Sequence, residues 1–313
     1  MAPNAQSTVT ETVTPPKRAT PKQELNIVWR NVILFAFLHI GALYGFTLIF
    51  TSAKWQTILF VIIFGYASVL GVTGGAHRLW SHRSYKAKWP VRALLMILQT
   101  MAIQNHIYEW CRDHRLHHKY SETDADPHNA TRGFFFSHMG WLMVKKHPEV
   151  KQKGKAIDLS DLLKDPLVVF QRKHYFPLVI LVSIVIPTMI PVLLWGENYW
   201  NSLFTVFFTR YVLSLHGTWL VNSAAHMWGN RPYDVTINPR ESPIVIFTGS
   251  GEGFHNFHHV FPWDYCTGEF GWKFNMTAAF IDCMAWLGLV YDRKKVSPEM
   301  LKQRIERTGE KLS

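Results

Sequence analysis

Nine histidines in this chain fall in four short patches. His114, His117 and His118 form an H-x-x-H-H pattern, and His255, His258 and His259 repeat it. His77 and His82 bracket the run His77-Arg-Leu-Trp-Ser-His82, and His226 closes Asn222-Ser-Ala-Ala-His226. Histidine is the commonest metal ligand among side chains, and its neutral ring suits iron, zinc, copper and nickel. A single H-x-x-H-H could be a solvated basic patch; several such patches in one chain point to a metal centre. Structural zinc sites use four ligands, usually with cysteine, and catalytic ones three, so nine imidazoles exceed one zinc. The zinc-protease pattern H-E-x-x-H is absent. A dinuclear iron site uses this donor set more economically.

Helical spacing brings the rings together. Residues at i, i+3 and i+4 share a face, so His114, His117 and His118 are expected to converge on one point, as are His255, His258 and His259. Asn222 and His226, at i and i+4, also share a face. His77 and His82 are five apart, about 140° around a straight helix. They can serve one site only if the helix ends or bends between them, and otherwise they serve different ions. Gly71, Gly74 and Gly75 just upstream make such an irregularity natural. Carboxylates should orient the metal-binding rings, and Asp113, Glu122, Asp124, Asp126 and Glu252 are the candidates. His39, His106, His128, His138, His147, His174 and His216 have no partner at ligand spacing and read as structural.

The elements that must carry these patches are apolar. Residues 32–53, 55–76 and 176–196 contain no Asp, Glu, Lys or Arg, and residues 199–225 contain one, Arg210. Each block reaches the roughly 20 residues that cross a bilayer. Arg210 is costly in lipid and should face the bundle interior or snorkel. The 33 Lys and Arg against 22 Asp and Glu concentrate in residues 1–30, 77–173 and beyond 231, whereas the turns near 51–54 and 197–198 are short. No nucleic-acid-binding motif accompanies the excess. The positive-inside rule therefore puts both termini and the central segment in the cytosol, with every histidine patch on that side.

The expected architecture is an all-α integral membrane protein with four transmembrane helices, at about 32–53, 55–76, 176–196 and 199–222. A cytosolic helical cap, residues 77–175 and 223–308, holds the di-iron site. Residues 1–28 read as a disordered cytosolic tail without the apolar core of a signal peptide, 29–308 as the membrane domain and 309–313 as a C-terminal tail. Within the cap, residues 90–104 suit an interfacial or buried helix, 106–121 a helix, 134–146 an amphipathic segment, and 274–291 an apolar helix interrupted by Asp282. Cys111, Cys266 and Cys283 have neither disulfide nor zinc spacing and should be reduced thiols. The sequons at Asn129 and Asn275 fall on the cytosolic side and should be unused.

At this point the chain resembles a known family. His77-Arg-Leu-Trp-Ser-His82, Asp113-His-Arg-Leu-His-His118, Asn222-Ser-Ala-Ala-His226 and Gly253-Phe-His-Asn-Phe-His-His259 are similar to the histidine boxes of animal acyl-CoA desaturases of the stearoyl-CoA desaturase type, in texture closest to insect members. The likeness runs over about residues 26–308. It includes Glu122-Thr-Asp-Ala-Asp-Pro-His-Asn129 and Gly133-Phe-Phe-Phe-Ser-His-Met-Gly140. The resemblance implies a four-span, mushroom-shaped enzyme of the endoplasmic reticulum membrane. Its nine histidine ligands would hold two Fe ions, with Asn222 reaching one through water. The substrates would be long-chain acyl-CoA and O2, and cytochrome b5 with NADH-cytochrome b5 reductase would supply electrons. Asn31, Asn105, Arg112, Asp113, Lys145, Lys146 and Trp219 match substrate-contacting positions. Gly65 and Val69 stand where mammalian members carry a larger and then a smaller residue lining the end of the acyl tunnel. Δ9 desaturation is the family default, with Δ11 or another position the alternative among insect relatives. A fatty-acyl hydroxylase with the same iron centre is the nearest rival. A histidine-rich metal transporter is more distant, because transporters bind near the bilayer midplane, whereas eight of the nine histidines lie clear of the expected spans and His226 lies at a span's end.

Overall fold

The computed structural model describes residues 26–271 and 273–310, which are mostly helical. Three helices are long and apolar enough to cross a membrane: Trp29–Thr51, Trp55–Ser81 and Tyr175–Trp195. They begin and end within a few residues of the uncharged blocks, except that the second runs on past residue 76 and carries His77 in its last turns. A fourth continuous helix, 199–222, contains Arg210 and packs against the first. The two approach closely because Gly45 lies against the Phe204 carbonyl, where a Cβ would collide; small residues allow this in apolar bundles. Arg210 is 2% exposed and turns inward. It donates to the Val206 and Met101 carbonyls at 2.9 and 3.2 Å and to the Ser68 hydroxyl at 3.3 Å.

At the end of the bundle away from the histidines, Glu197 joins the two short turns. Its carboxylate accepts from the Lys54 amide (2.8 Å), the Thr57 hydroxyl (2.6 Å), the Asn198 amide (2.9 Å) and Asn201 (3.3 Å). Lys54 in turn caps the carbonyls of Trp195 and Gly196 at 2.8 and 2.9 Å.

Over the opposite end lies a cap of shorter helices. Trp89–Met101 buries Val91, Leu95 and Met96 and presents Trp89, Leu94 and Ile97 outward. It crosses the second helix at Gly71, where any side chain would strike the Gln99 backbone. Ile107–Tyr120, which carries the second histidine patch, starts on a cap in which His106 accepts from the Glu109 amide at 3.1 Å. Leu79, Trp80, Leu95, Ile107, Cys111, Leu162 and Ile281 form the main core beneath these elements. The expected amphipathic segment 134–146 is broken into Phe134–His138 and a single turn, Gly140–Leu142. The expected helix 274–291 covers Met276–Trp286. It then yields to a strand, Val290–Tyr291, paired antiparallel with Lys86–Ala87. Asp282 does not break that helix; it accepts from the Tyr265 hydroxyl at 2.8 Å and pairs with Arg293.

The expected tail 1–28 is corrected at its end. Residues 1–25 lie outside the described residues, as do 311–313, but 26–28 clasp the cap. Val28 donates to the Met143 carbonyl at 2.7 Å and Lys145 to the Asn26 carbonyl at 2.9 Å. All three cysteines are free thiols. Asn129 and Asn275 are buried and cap local turns through bonds to Thr131 and Ala278, so neither sequon presents its amide in the folded chain.

Replacing Glu197 with Ala strands several donors in the turn. The loss should be about 1–3 kcal/mol. It should lower the thermal midpoint in detergent while metal content per folded molecule stays unchanged.

Candidate metal centre

The nine patch histidines converge, but not as three self-contained triads. One cluster is His77, His82, His114, His118 and His258; the other is His117, His226, His255 and His259. In the first, Nε2 of His82 lies 2.8 Å from that of His114, and Nε2 of His258 lies 3.0 Å from those of His77 and His118. In the second, His255 Nε2 lies 3.0 Å from His226 and 3.1 Å from His259, and His117 lies 3.3 Å from His259. Each H-x-x-H-H stretch is therefore shared. Its i and i+4 rings serve one cluster and its middle ring the other, which corrects the expectation of a single point of convergence. Neighbouring helical residues diverge by about 100°, so His117 and His118 cannot aim alike.

His77 and His82 share the first cluster through an unusual winding. From Gly71 to Ser81 the second helix turns in the wide i→i+5 manner, and His82 N donates to the His77 carbonyl at 3.1 Å. A π turn brings residues five apart toward one face, and such turns are frequent at functional sites, although this chain also winds in this way at Ile180–Val185 and Leu203–Thr209, away from the histidines. The helix ends at Ser81, so the widened winding and the ending act together.

A layer of carboxylates holds the rings from behind. Glu252 lies 2.9 Å from His77 Nδ1, Asp126 lies 3.0 Å from His117 Nδ1, and Glu122 lies 3.1 Å from His226 Nδ1. With Nδ1 so engaged, Nε2 is free to face inward. Of the other two candidates, Asp113 bonds Arg112 and Lys146 instead, and Asp124 makes no bond to a clustered ring among the described residues. Burial lowers the pKa of His82, His114, His117, His118, His255, His258 and His259 far below the usual imidazole range, and neighbouring imidazoles lower it further. Those rings are neutral at physiological pH, the state that binds metal. Burial raises the Glu252 pKa, but the Arg78 charge, His77 and the bonds from both more than offset this and hold it at about 2. Arg78, fully buried, donates to Glu252 at 2.6 Å and to the Tyr265 carbonyl at 3.0 Å.

Two cavities adjoin the clusters. One is largely apolar, lined by Val69, Val72, Trp110 and Val221, with His77, His117, His255 and Asn222 at its edge. The other, about 250 Å³, is lined by Asn31, Asn105, Asp113 and Trp219 together with Phe35, Leu38, His114 and Asn222. A third, basic cavity of about 590 Å³ opens beside it, between Arg112, Asp113, Lys146, Lys151, Lys155 and Arg172. Lys145 lines none of the three and is exposed. Gly65 lines none either, although a Cβ there would sit 3.7 Å from the Arg210 side chain, inside the bundle.

Residues not singled out by spacing also belong to this region. Glu241 accepts from the Phe257 amide at 2.8 Å, fixing the start of the helix His255–Val260. His128 packs against His117 with ring centroids 4.3 Å apart and draws its backbone amide onto Asp126. Both contacts cross long sequence separations or involve the main chain, so no pattern in the sequence announces them.

Buried, converging imidazoles braced by acids, at one end of an apolar helical bundle, form a candidate metal centre. The chain belongs to the fatty acid desaturase family, whose model matches residues 52–267. It is 58% identical over 301 residues to an acyl-CoA Δ9 desaturase of Acheta domesticus, covering 95% of this chain and 84% of that relative. It is 57% identical over 290 residues to the stearoyl-CoA desaturase of Homo sapiens, covering 93% and 80%. An acyl-CoA Δ12 desaturase of Acheta domesticus is 58% identical over 299 residues, covering 94% and 84%.

Glu252→Gln keeps a partner for His77 but leaves the Arg78 charge without its counter-ion. Metal affinity should fall about 10–100-fold, read as substoichiometric metal in the purified variant while the helical signal is retained.

Proposed function

We propose that this chain is a Δ9 acyl-CoA desaturase of the endoplasmic reticulum membrane, with four spans, a cytosolic cap and both termini in the cytosol. In this reading two irons are held by His77, His82, His114, His118 and His258 on one side and His117, His226, His255 and His259 on the other, with Asn222 bound through water. The observation that carries it is the convergence of nine imidazole Nε2 atoms into two adjoining groups at the rim of an apolar cavity. The donor set fits two irons because its nine rings are enclosed and converge, three of them oriented by Glu252, Asp126 and Glu122. When bound, iron supplies the oxidising power toward O2 that breaking unactivated C–H bonds requires and no side chain can supply.

The protein's own residues bind, orient and exclude water. Arg112 and Lys146, each paired with Asp113, offer cations to the CoA phosphates at the basic cavity. Asn31, Asn105 and Trp219 flank the thioester end. Val69, Val72 and Val221 enclose the acyl chain and keep solvent from the reacting carbons. Overall, two hydrogens leave adjacent methylenes, O2 takes two electrons and two protons, and two waters form. Cytochrome b5, reduced through its NADH-dependent reductase, is the proposed electron source. The Δ9 position draws support from the cricket Δ9 relative, while the Δ12 relative of equal identity makes the product analysis decisive.

A desaturase-deficient yeast expressing this chain should accumulate Δ9 monoenes, seen by gas chromatography after double-bond derivatisation, and His118→Ala should abolish them. Hydroxy acids in their place would establish a hydroxylase; double bonds elsewhere would revise the position alone. In the same assay Gly65→Tyr should shift the product profile toward shorter acyl chains, and an unchanged profile would remove Gly65 from the tunnel end.

A further inference from the structure

Three histidines outside the clusters form a hydrogen-bonded chain that joins the first helix, the fourth helix and the cap. His39 Nδ1 lies 2.6 Å from the Phe35 carbonyl, which can only accept, so that nitrogen donates. His39 Nε2 meets His216 Nε2 at 3.1 Å, and His216 Nδ1 meets His138 Nε2 at 2.9 Å. His138 Nδ1 ends the chain on the Ser223 hydroxyl at 3.0 Å, and that hydroxyl lies 2.8 Å from the Trp219 carbonyl. With one proton on each ring the links run Ser223 to His138 to His216 to His39 to Phe35, and the single Ser223 hydrogen then serves His138 rather than the neighbouring Trp219 carbonyl. The nitrogens are strung in a line rather than gathered around a point, so the chain is a brace and not another metal site.

What it braces is Trp219. The indole is 3% exposed, and three rings meet it edge-on: His216 at 5.2 Å, Phe35 at 5.5 Å and His138 at 5.6 Å. The chain ends on the cavity wall at the Phe35 carbonyl and begins at Ser223, whose hydroxyl lies 2.8 Å from the Trp219 carbonyl; Phe35 and Trp219 both line the 250 Å³ cavity. Ser223 sits at the break that ends the fourth helix at Asn222, just before His226.

We propose that His138 and His216 are positioning residues for the acyl-CoA groove. They fix the Trp219 ring in the wall and thereby set substrate affinity, without touching substrate or metal. The inference rests on reading this cavity as the acyl-CoA site. Aromatic contacts and hydrogen bonds hold the indole in one orientation before substrate arrives, so less ordering remains at binding.

The test is a mutant cycle on the full-length, iron-loaded protein in detergent with stearoyl-CoA and a saturating electron donor. His138→Phe and His216→Ala should each raise KM about three- to tenfold, with kcat changed less than twofold and two irons retained. His216→Asn, which keeps a donor and an acceptor, should recover most of the loss. In a Trp219→Ala background, which itself raises KM, neither histidine change should add a further increase, because residues acting through one ring are not additive. Increases that multiply in the double variants, or a fall in kcat at unchanged KM, would overturn the brace. A Trp219→Ala variant with unaltered KM would instead overturn the cavity as the acyl-CoA site. If His138→Phe fails to fold, His216→Asn and His216→Ala in the two backgrounds complete the cycle.

Discussion

Gathering nine imidazoles in one enclosed volume is the constraint around which the molecule is built. A buried polar ring without a partner is costly, and a protonated ring beside other protonated rings is worse. The fold meets this by burying seven of the rings so that their pKa falls far below the usual imidazole range, giving His77, His117 and His226 a carboxylate behind Nδ1, and leaving the Nε2 atoms to face the centre. Glu252 is itself held ionised by a fully buried Arg78, so the support extends a layer further than the rings. The Gly71 contact, the His106 cap and the Glu241 bond to the Phe257 amide serve the same end, fixing the helices whose faces carry the ligands.

Much of this was legible in the sequence because it depends on local pattern. Uncharged runs marked the apolar helices to within a few residues, and the histidine spacing named all nine converging rings. The acids Glu122, Asp126 and Glu252 were readable as candidates because they sit near the patches. What escaped has a common cause. The split of each H-x-x-H-H stretch between two clusters depends on which neighbouring helix each ring meets. The five-residue interval from His77 to His82 works through π winding, which the upstream glycines permit but do not specify. The histidines at 39, 138 and 216 looked isolated because their partners lie up to 177 positions away; distance along the chain hides a contact that helix packing creates.

Affinity and reaction position draw on different parts of the proposed substrate path. In the proposed reading the basic cavity and the Trp219 wall, toward the cap, take the polar end of the substrate. Val69 and Gly65 lie one helical turn apart on the second helix, where the proposed acyl path would end. Relatives of equal identity named for different double-bond positions fit such a division, in which a few side chains along the path would change which methylenes stop beside the centre.

The sharing of each histidine triad between two clusters has a mechanical consequence. The two helices that carry the triads, Ile107–Tyr120 and His255–Val260, each reach both clusters, so neither pocket can loosen without disturbing the other. The rings of one cluster border those of the other, and the offset between the two clusters is set by the helix repeat rather than by any flexible link. The arrangement behaves as a vernier: moving either triad helix by a single residue would present each ring to the wrong partner, and the two pockets would lose register together.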